Sequence, residues 1–331
     1  MVRLSDIAQK TGYTISTISK ALNHSSEISQ ETSKIIWNAA REMGYVSKKS
    51  IKRAEKTIAV IIQEIESHYY TRLMNALSKK IMSSGYKMIT VINSEYWDHI
   101  GVAIDQVSKY MPDGIITCCG DTVSKDDVEK LLDTGIPALI INELPVSFPT
   151  DSICIDPAQS MRLAIDHLVE MNHQKIGYLG EYNADSRYEH FLIEMENHDL
   201  KVDPRFVKRG SERFEQGGYL MAKELLEEKE LPTAVVAGYD QFAFGAMKLF
   251  QERGIRIPDD IAILGFDNVV LDEYLPVALT SVTNPVEQMG ATAVKLILDA
   301  IQNPKTHAVQ TVTLQSRLIV RASTRPNRKT G

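Results

Sequence analysis

The first 46 residues contain three short segments in which apolar side chains recur at the spacing of an amphipathic helix. The first two segments meet at Gly12, a residue that tolerates the positive φ of a tight turn, and Thr14 can cap the second helix. This pattern predicts a helix-turn-helix, whose second helix enters the DNA major groove, although an ordinary helical hairpin has the same spacing. The predicted inner-face residues are Leu4, Ile7, Ala8, Ile18, Ala21, Leu22, Ile35, Ile36, Ala39, Ala40 and Met43.

The pattern changes at residue 58, where a continuous apolar run begins. Such a run is typical of a parallel strand that is buried on both faces. Strand and helix patterns then alternate up to residue 141, and the alternation starts again near residue 158. This repetition predicts two doubly wound α/β lobes, with a ligand cleft along the carboxyl ends of the strands. The predicted strands are 58–62, 87–92, 114–117, 138–141, 175–179, 206–209, 234–237 and 261–266.

Charge separates the N-terminal region from the rest of the chain. Residues 1–57 contain ten Lys and Arg against five Asp and Glu, a net charge of +5, so residues 58–331 carry −11 of the total of −6. A basic module on an acidic body is typical of a protein that contacts DNA phosphates. The charge distribution therefore favours the DNA-binding interpretation over a simple hairpin.

The overall composition, with 44% hydrophobic and 24% charged residues, is that of a globular protein. No apolar run reaches the roughly 20 residues that span a bilayer, and the N-terminus has no signal-peptide core, so we expect a cytoplasmic protein without a membrane partner. Cys118, Cys119 and Cys154 lie in apolar runs and are expected to be buried strand residues, with a vicinal disulfide or a metal site as the alternative. Because no Cys or His spacing supports a metal, we predict no metal and no cofactor.

Sequence motifs of common enzymes are missing from the α/β region. The chain has no P-loop, no Gly-x-Gly-x-x-Gly after the first strand and no Gly-x-Ser-x-Gly elbow. We therefore expect no enzymatic activity. A ligand-binding module without a DNA function is the remaining alternative, and the basic helix-turn-helix argues against it.

Motifs spread over nearly the whole chain are similar to those of one family. They lie at residues 6–23, 113–116, 135–141, 173–180, 243–246 and 257–267. In these segments the chain resembles the LacI/GalR family of bacterial transcription regulators. The resemblance implies a homodimer that binds double-stranded, pseudo-palindromic operator DNA and is controlled allosterically by a small molecule, usually a sugar or sugar phosphate. We expect a carbohydrate-responsive repressor.

The resemblance also implies how the chain is divided. We expect an α/β protein in which a three-helix helix-turn-helix domain precedes a bilobed, periplasmic-binding-protein-like pair of doubly wound parallel-sheet subdomains. The expected boundaries are 1–46 for the helix-turn-helix domain, 47–57 for a basic linker, 58–156 with 285–315 for the first lobe, 157–284 with 316–325 for the second lobe, and 326–331 for a tail.

Helix geometry and the resemblance agree that Ile15, Ser16 and Lys20 face the bases. Lys20 can donate to guanine O6 or N7, and Ile15 can pack on a thymine methyl group, with a core position as the alternative for Ile15. The other polar groups are expected to contact phosphates, which position the protein without specifying sequence. The predicted DNA-binding residues are Thr14, Ile15, Ser16, Thr17, Ser19, Lys20, Asn23, Lys48 and Lys49.

The linker departs from the family pattern. Ser47 and Lys48 replace the usual Pro-Asn, and no leucine occurs between Leu22 and Leu73. Ile51 is the one apolar candidate for a minor-groove wedge, so we expect a basic linker that contacts phosphates instead of the usual hinge helix. A solvated run of charges is the alternative.

A cleft that binds a polyol needs charged groups for the hydroxyls and an aromatic face for the ring. The resemblance matches Arg187 and Asp267 to effector contacts of the family, and a structural ion pair is the alternative for each. Trp97 could stack on a ring near the cleft edge or simply pack on the surface. The predicted effector-binding residues are Tyr69, Tyr70, Leu73, Asn142, Arg187, Tyr239, Asp267 and Asn284.

Overall fold

The structure is a computed structural model that describes residues 2–22, 25, 27–43, 45, 56–93, 100–118, 123–143, 148–182 and 185–325. The chain forms two compact units, Met1–Lys56 and Thr57–Gly331. The expected contacts of Asn23, Lys48, Lys49 and Trp97, and the expected tail 326–331, lie outside the described residues.

The first unit is a helix-turn-helix followed by a third helix. Its helices are α1 (Leu4–Thr11), α2 (Ile15–Leu22) and α3 (Gln30–Glu42). The first helix ends at Gly12, whose φ of 75° is left-handed and whose N–H donates to the Ala8 carbonyl at 2.9 Å. The Thr14 hydroxyl accepts the Thr17 N–H at 3.1 Å, which caps α2 in the predicted way.

Each helix of this unit contributes one large residue to a small core. Ile7, Ile18 and Ile36 are fully buried and belong to one hydrophobic cluster. Ile35, expected on the inner face of α3, is exposed instead. The reason is geometric, because Ile36 and Ala40 define the buried stripe and Ile35 lies about 100° away around the helix.

The first lobe of the second unit is a parallel sheet covered on both faces by helices. Its strands are β1 (Thr57–Ile62), β2 (Lys87–Ile92), β3 (Gly114–Cys118), β4 (Ala138–Asn142), β5 (Asp151–Ile155) and β11 (Thr311–Leu314). Its helices are α4 (His68–Ser83), α5 (Gly101–Ser108), α6 (Lys125–Asp133) and α11 (Val286–Gln302). The strand order is β11-β5-β4-β3-β1-β2. Successive residues of β1 enter opposite cores, Val60 on one face and Ile61 on the other, which explains its continuous apolar run.

The second lobe repeats this architecture with one difference at an edge. Its strands are β6 (Ile176–Glu181), β7 (Val207–Gly210), β8 (Ala234–Ala237), β9 (Ala262–Phe266), β10 (Thr280–Thr283) and β12 (Arg317–Ile319). Its helices are α7 (Pro157–Glu170), α8 (Asp185–Asn197), α9 (Phe214–Leu225) and α10 (Asp240–Glu252). The order is β12-β10-β9-β8-β6-β7, and the edge strand β12 runs antiparallel to β10. The predicted pair of doubly wound lobes is confirmed.

The chain passes between the lobes after β5, after β10 and after β11. Direct contacts also join the lobes at the carboxyl ends of their strands. The His68 N–H, just beyond β1, donates to the Gln241 side chain at 2.9 Å, and Arg72 donates to the Asp267 carbonyl at 3.0 Å. The two sheets therefore face each other across a narrow cleft lined by strand ends, where open α/β sheets bind ligands.

Candidate functional site

The solvent side of α2 carries the residues expected to read bases. Ile15, Ser16 and Lys20 are all exposed, and Ile15 has 51% of its surface accessible. The fully buried Ile18, three positions further along the helix, fills the core position. Because Ile15 has no role in the core, its side chain is available for contact with a partner.

The residues expected to contact phosphates lie at the start of α2 and beside its exposed face. The Thr14 and Thr17 hydroxyl oxygens are 2.9 Å apart, so they order each other at the first turn of the helix. Ser19 is half-buried. A helix N-terminus with ordered hydroxyls suits an anion. The phosphate contacts stay a prediction.

Lys20 already has a partner that the sequence interpretation missed. Its ammonium group forms an ion pair with the carboxylate of Glu27, a residue of the loop after α2. No helical periodicity connects the two, because α2 ends at Leu22. The one sequence signal for this ion pair was an acidic residue a few positions after the helix that carries Lys20.

The interlobe cleft is centred on the guanidinium group of Arg187. One of its nitrogens donates to the Gly238 carbonyl, and another lies 3.5 Å from carboxylate oxygens of both Glu143 and Asp267. Glu143 follows β4 in the first lobe, so this ion pair bridges the cleft. The guanidinium carbon also lies 5.3 Å from the centre of the Phe266 ring, within the range of a cation–π contact.

Asp267 completes the cluster from the end of β9. Its carboxylate accepts the Asn284 side-chain N–H at 2.8 Å, and its backbone adopts a left-handed φ of 98°. Burial raises the pKa of the Asp267 carboxyl, and the Arg187 guanidinium opposes that rise. Arg187, Asp267 and Asn284 thus form one connected polar group. Arg187 and Asp267 form the ion pair that the sequence analysis gave as the alternative to an effector contact.

The space beside this group is small. The volume open to the centre of a water-sized sphere is about 20 Å³, which holds one or two water molecules. A sugar ring needs more room than this space provides. The cavity is lined by Glu143, Ile155, Pro157, Ser160, Met161, Arg187, Phe266 and Asn284.

The expected first-lobe contacts do not all reach this space. Tyr69 packs against the core of the first lobe, and its hydroxyl donates to the Met289 sulfur at 4.0 Å. Burial raises the pKa of this hydroxyl, and the charges of Cys118, Glu143 and Asp267 add to the rise. Tyr70 is buried and its hydroxyl donates to the Gln63 side chain at 2.9 Å. Leu73 is fully buried in the hydrophobic core of the first lobe, where its role is packing.

Two further residues expected to contact the effector are already hydrogen-bonded or buried within the protein. The Tyr239 hydroxyl accepts the Phe214 N–H at 2.9 Å and lies 3.4 Å from the Glu181 carboxylate. Asn142, the last residue of β4, is buried. Tyr239 therefore belongs to a second polar group next to the one around Arg187.

This second group contains charged residues that the sequence interpretation missed. Arg213 lies 3.3 Å from Glu181 within the second lobe and 3.9 Å from Glu64, which follows β1 in the first lobe. Glu64 is buried, and its other oxygen accepts the Ser67 N–H at 2.8 Å. Glu64, Glu143 and Glu181 all lie at the carboxyl ends of predicted strands, so strand-end position was the signal that could have found them.

Arg72 also joins the two lobes. From α4 it donates to the carbonyls of Asp267 and Asn268, at 3.0 and 2.8 Å, and it pairs with Glu287 at 3.0 Å within its own lobe. Both of the carbonyls belong to residues with left-handed φ. Arg72 therefore clamps the turn that carries the Asp267 carboxylate.

Within the described ranges, no group of three or more His, Cys, Asp or Glu side chains is arranged to hold a metal ion. Among the helices that the structure describes, none has the length and apolar character needed to cross a bilayer.

A helix-turn-helix with an exposed basic second helix, carried by a chain with a two-lobed cleft, defines the class of DNA-binding transcription regulators. Comparison with known proteins agrees. Residues 3–48 match "Bacterial regulatory proteins, lacI family", and residues 165–324 match "Periplasmic binding protein-like domain". The chain belongs to the lacI family of bacterial regulatory proteins.

Relatives and solved structures align with most of this chain. The HTH-type transcriptional repressor PurR of Pasteurella multocida is 28% identical over 333 residues, covering 98% of each chain. A LacI family regulator of Enterococcus faecium with bound ribose is 28% identical with a TM-score of 0.73, covering 82% of this chain and all of that one. The lac repressor dimer bound to operator and the anti-inducer ONPF shares the fold, with a TM-score of 0.73, 21% identity and 98% and 99% coverage.

Proposed function

We propose that this protein is a homodimeric, cytoplasmic repressor without enzymatic activity, whose affinity for operator DNA is controlled by a neutral sugar or sugar derivative in the interlobe cleft. The observation that carries the proposal is the Arg187 group. A guanidinium fork, two carboxylates, an amide and an aromatic ring converge on one small space from both lobes. These are the groups that pair with vicinal hydroxyls and cover the apolar face of a sugar.

The charge of the cleft favours a neutral ligand over a phosphorylated one. Carboxylates of Glu64, Glu143, Glu181 and Asp267 surround Arg187 and Arg213, and both guanidinium groups are already paired with them. A phosphate would add negative charge to a region where carboxylates are close together and partly buried, which raises the cost of binding. Hydroxyl groups can instead donate to these oxygens.

A flat heterocyclic base is the second candidate effector. Phe266 lines the cavity beside the Arg187 group, and a base could stack on its ring while it accepts from the guanidinium fork. The four carboxylates favour the sugar, because a base presents fewer donors than a sugar does.

Regulation follows from the closed geometry. The cavity beside Arg187 has room only for water, so an effector that binds there needs a more open arrangement or must displace the Arg187–Glu143 bridge. Either event changes the populations of the closed and open lobes. An effector controls the DNA affinity only if its affinity for these two states differs.

A dimer is supported by an apolar patch on the second lobe. Val270 and Tyr274 are 72% and 76% exposed, and Leu271 beside them is also exposed. A second copy would bury these side chains, since large apolar groups clustered on a surface are typical of an interface. In a symmetric dimer the two recognition helices would read half-sites roughly 34 Å apart.

The test is a fluorescence-anisotropy titration of labelled DNA from upstream of the protein's own gene. It is run at two salt concentrations, with random DNA as competitor and with neutral sugars, sugar phosphates and purine bases as candidate effectors. Competitor-resistant binding that one neutral sugar alters supports the proposal. An effect of a purine base alone selects the second candidate, and an absence of binding at low salt contradicts the DNA-binding function.

A further inference from the structure

The loop behind the recognition helix holds an acidic side chain on the surface expected to face DNA. The Ser25 N–H donates to the Lys20 carbonyl at 3.0 Å, and the Ile28 N–H donates to the Ser25 carbonyl at 3.2 Å. Ile28 packs against the core of the helix-turn-helix unit. These contacts fix the position of Glu27, which lies between them in the chain.

The side chain of Glu27 reaches back to Lys20. The two form an exposed ion pair, with 47% of the Lys20 side chain and 66% of the Glu27 side chain accessible. Lys20 lies one turn after Ser16 on the same face of α2, so Glu27 lies beside groups expected to meet base edges. An exposed carboxylate at this place is repelled by DNA phosphates unless it gains a specific contact.

We propose that Glu27 and Lys20 read a single G·C base pair together, with Glu27 as a specificity-determining residue. In the major groove, a G·C pair presents the N7 and O6 acceptors of guanine followed by the N4 amino donor of cytosine. Lys20 donates to guanine, and the carboxylate of Glu27 accepts from cytosine N4. The pair of side chains then matches this acceptor and donor pattern in one orientation only.

Glu27 supplies the discrimination that Lys20 lacks. A lysine ammonium is a point donor without the fork of an arginine, so it can also donate to adenine N7 or thymine O4. A carboxylate beside it requires a donor at the next position. Thymine presents its O4 acceptor there, which the carboxylate repels. The inference rests on the proposed sequence-specific operator binding.

The experiment is a selection from random double-stranded DNA, sequenced to give the base preference at each half-site position. It compares the full-length protein with Glu27→Ala, Glu27→Gln and Lys20→Ala. The matched control is Glu42→Gln, because Glu42 forms a similar exposed ion pair with Lys10 between α1 and α3. All the changed side chains are exposed, and thermal melting checks that each variant folds.

We expect Glu27→Ala to reduce the preference for one G·C pair in each half-site by about tenfold, within the range of a single base contact. Lys20→Ala should relax the preference at the same pair. Glu27→Gln, which keeps an acceptor oxygen, should retain part of the preference. Glu42→Gln should leave all base preferences unchanged.

Two results would overturn the inference in different ways. If Glu27→Ala changes the affinity for every sequence equally, Glu27 only neutralises Lys20 and reads no base. If the unmodified protein selects no sequence from the pool, the proposed operator binding fails, and the role of Glu27 fails with it.

Discussion

The two candidate binding surfaces of this protein hold their key cations in opposite ways. Lys20 pairs with Glu27, seven positions away, and both side chains are exposed. Arg187 pairs with Glu143 and Asp267, which are 44 and 80 positions away, and all three are largely buried. An exposed pair is weak and exchanges readily for DNA. A buried pair that loses one partner leaves a desolvated charge, at a cost of about 3–5 kcal/mol.

This difference indicates what each surface demands of its ligand. DNA can displace Glu27 from Lys20 by offering any strong acceptor, so specificity there depends on the positions of the groups. A cleft ligand must instead replace the hydrogen bonds of Arg187 as it separates the lobes. The cleft is therefore expected to select its ligand by chemistry, and the helix to select DNA by geometry.

The largest expected effect comes from opening a cavity in the core of the N-terminal unit. Ile18→Ala leaves a cavity in a unit of 56 residues, at a cost of about 2–5 kcal/mol. A unit of that size is stabilised by only about 3–8 kcal/mol, so most of its stability is lost. We expect DNA binding to disappear while effector binding stays intact, as measured by anisotropy and calorimetry on the same sample.

The exposed neighbour provides the control for this prediction. Ile15→Ala removes a similar side chain from the same helix without a cavity, so the unit should keep its melting transition. If Ile18→Ala also abolished effector binding, the two units would not be energetically separate, and the comparison between them would fail.

The next effect is expected at the centre of the cleft. Arg187→Ala removes the fork that contacts Gly238, Glu143 and Asp267, and it leaves the two carboxylates without this cation. We expect effector binding to weaken about 100-fold or more in calorimetric titrations, while the protein still binds operator DNA. Arg205→Ala is the matched control, because Arg205 forms an exposed pair with Asp203 in the same lobe. An unchanged effector affinity would remove Arg187 from the binding site.

The sequence predicts local features of the fold better than the long-range ones. Gly12, the Thr14 cap and the apolar runs of the central strands depend on neighbouring residues, and the structure agrees with each. The strands β10, β11 and β12 are three or four residues long and partly polar, so no periodicity marked them. Ile35 shows the same limit on a helix. Ile35 and Ile36 are adjacent in α3, and the spacing of apolar residues along the helix does not show which of the two is buried.

The candidate site illustrates why distant contacts escape a reading of one sequence. Arg187 and Asp267 were named through the family resemblance, and the structure brings them together. Leu73 has the right position in the chain but turns into the core. Glu64 and Arg213 are 149 positions apart and belong to different lobes. That they share a cleft becomes clear only from the structure, in which the two sheets face each other. Strand-end position identifies candidates, whereas side-chain direction decides among them.

A smaller effect is expected from the clamp between the lobes. Arg72→Ala removes two hydrogen bonds to the Asp267–Asn268 turn, so the closed arrangement should lose population. We expect the effector concentration that half-saturates the DNA response to change several-fold, because the energy of closure is altered and the contacts of Arg187 are kept. Glu287→Gln removes only the pair within the first lobe and should have less effect. Equal effects of the two variants would show that the clamp does not act on the turn.

The smallest effect concerns a histidine that combines a nearby and a distant partner. His307 lies between Asp299, eight positions earlier, and Asp151, at the start of β5, with nitrogen–oxygen distances of 2.6 and 2.7 Å. The hydrogen bond to Asp299, followed by that to Asp151, raises the pKa of His307 in the folded protein. Its stabilisation is complete below the unfolded value of about 6.5 and is lost as the pH rises through the folded pKa.

We therefore expect the melting temperature of the second unit to fall by a few degrees as the pH rises above about 6.5, and His307→Gln to flatten this dependence. His173 is the internal contrast, because burial lowers its pKa and its contribution is lost as the pH falls. The hydrogen bond to Asp299 contributes most to the raised pKa of His307, so Asp299→Asn should flatten the profile more than Asp151→Asn. A larger effect of Asp151→Asn would mean that the distant, buried partner governs this site, as distant partners do in the cleft.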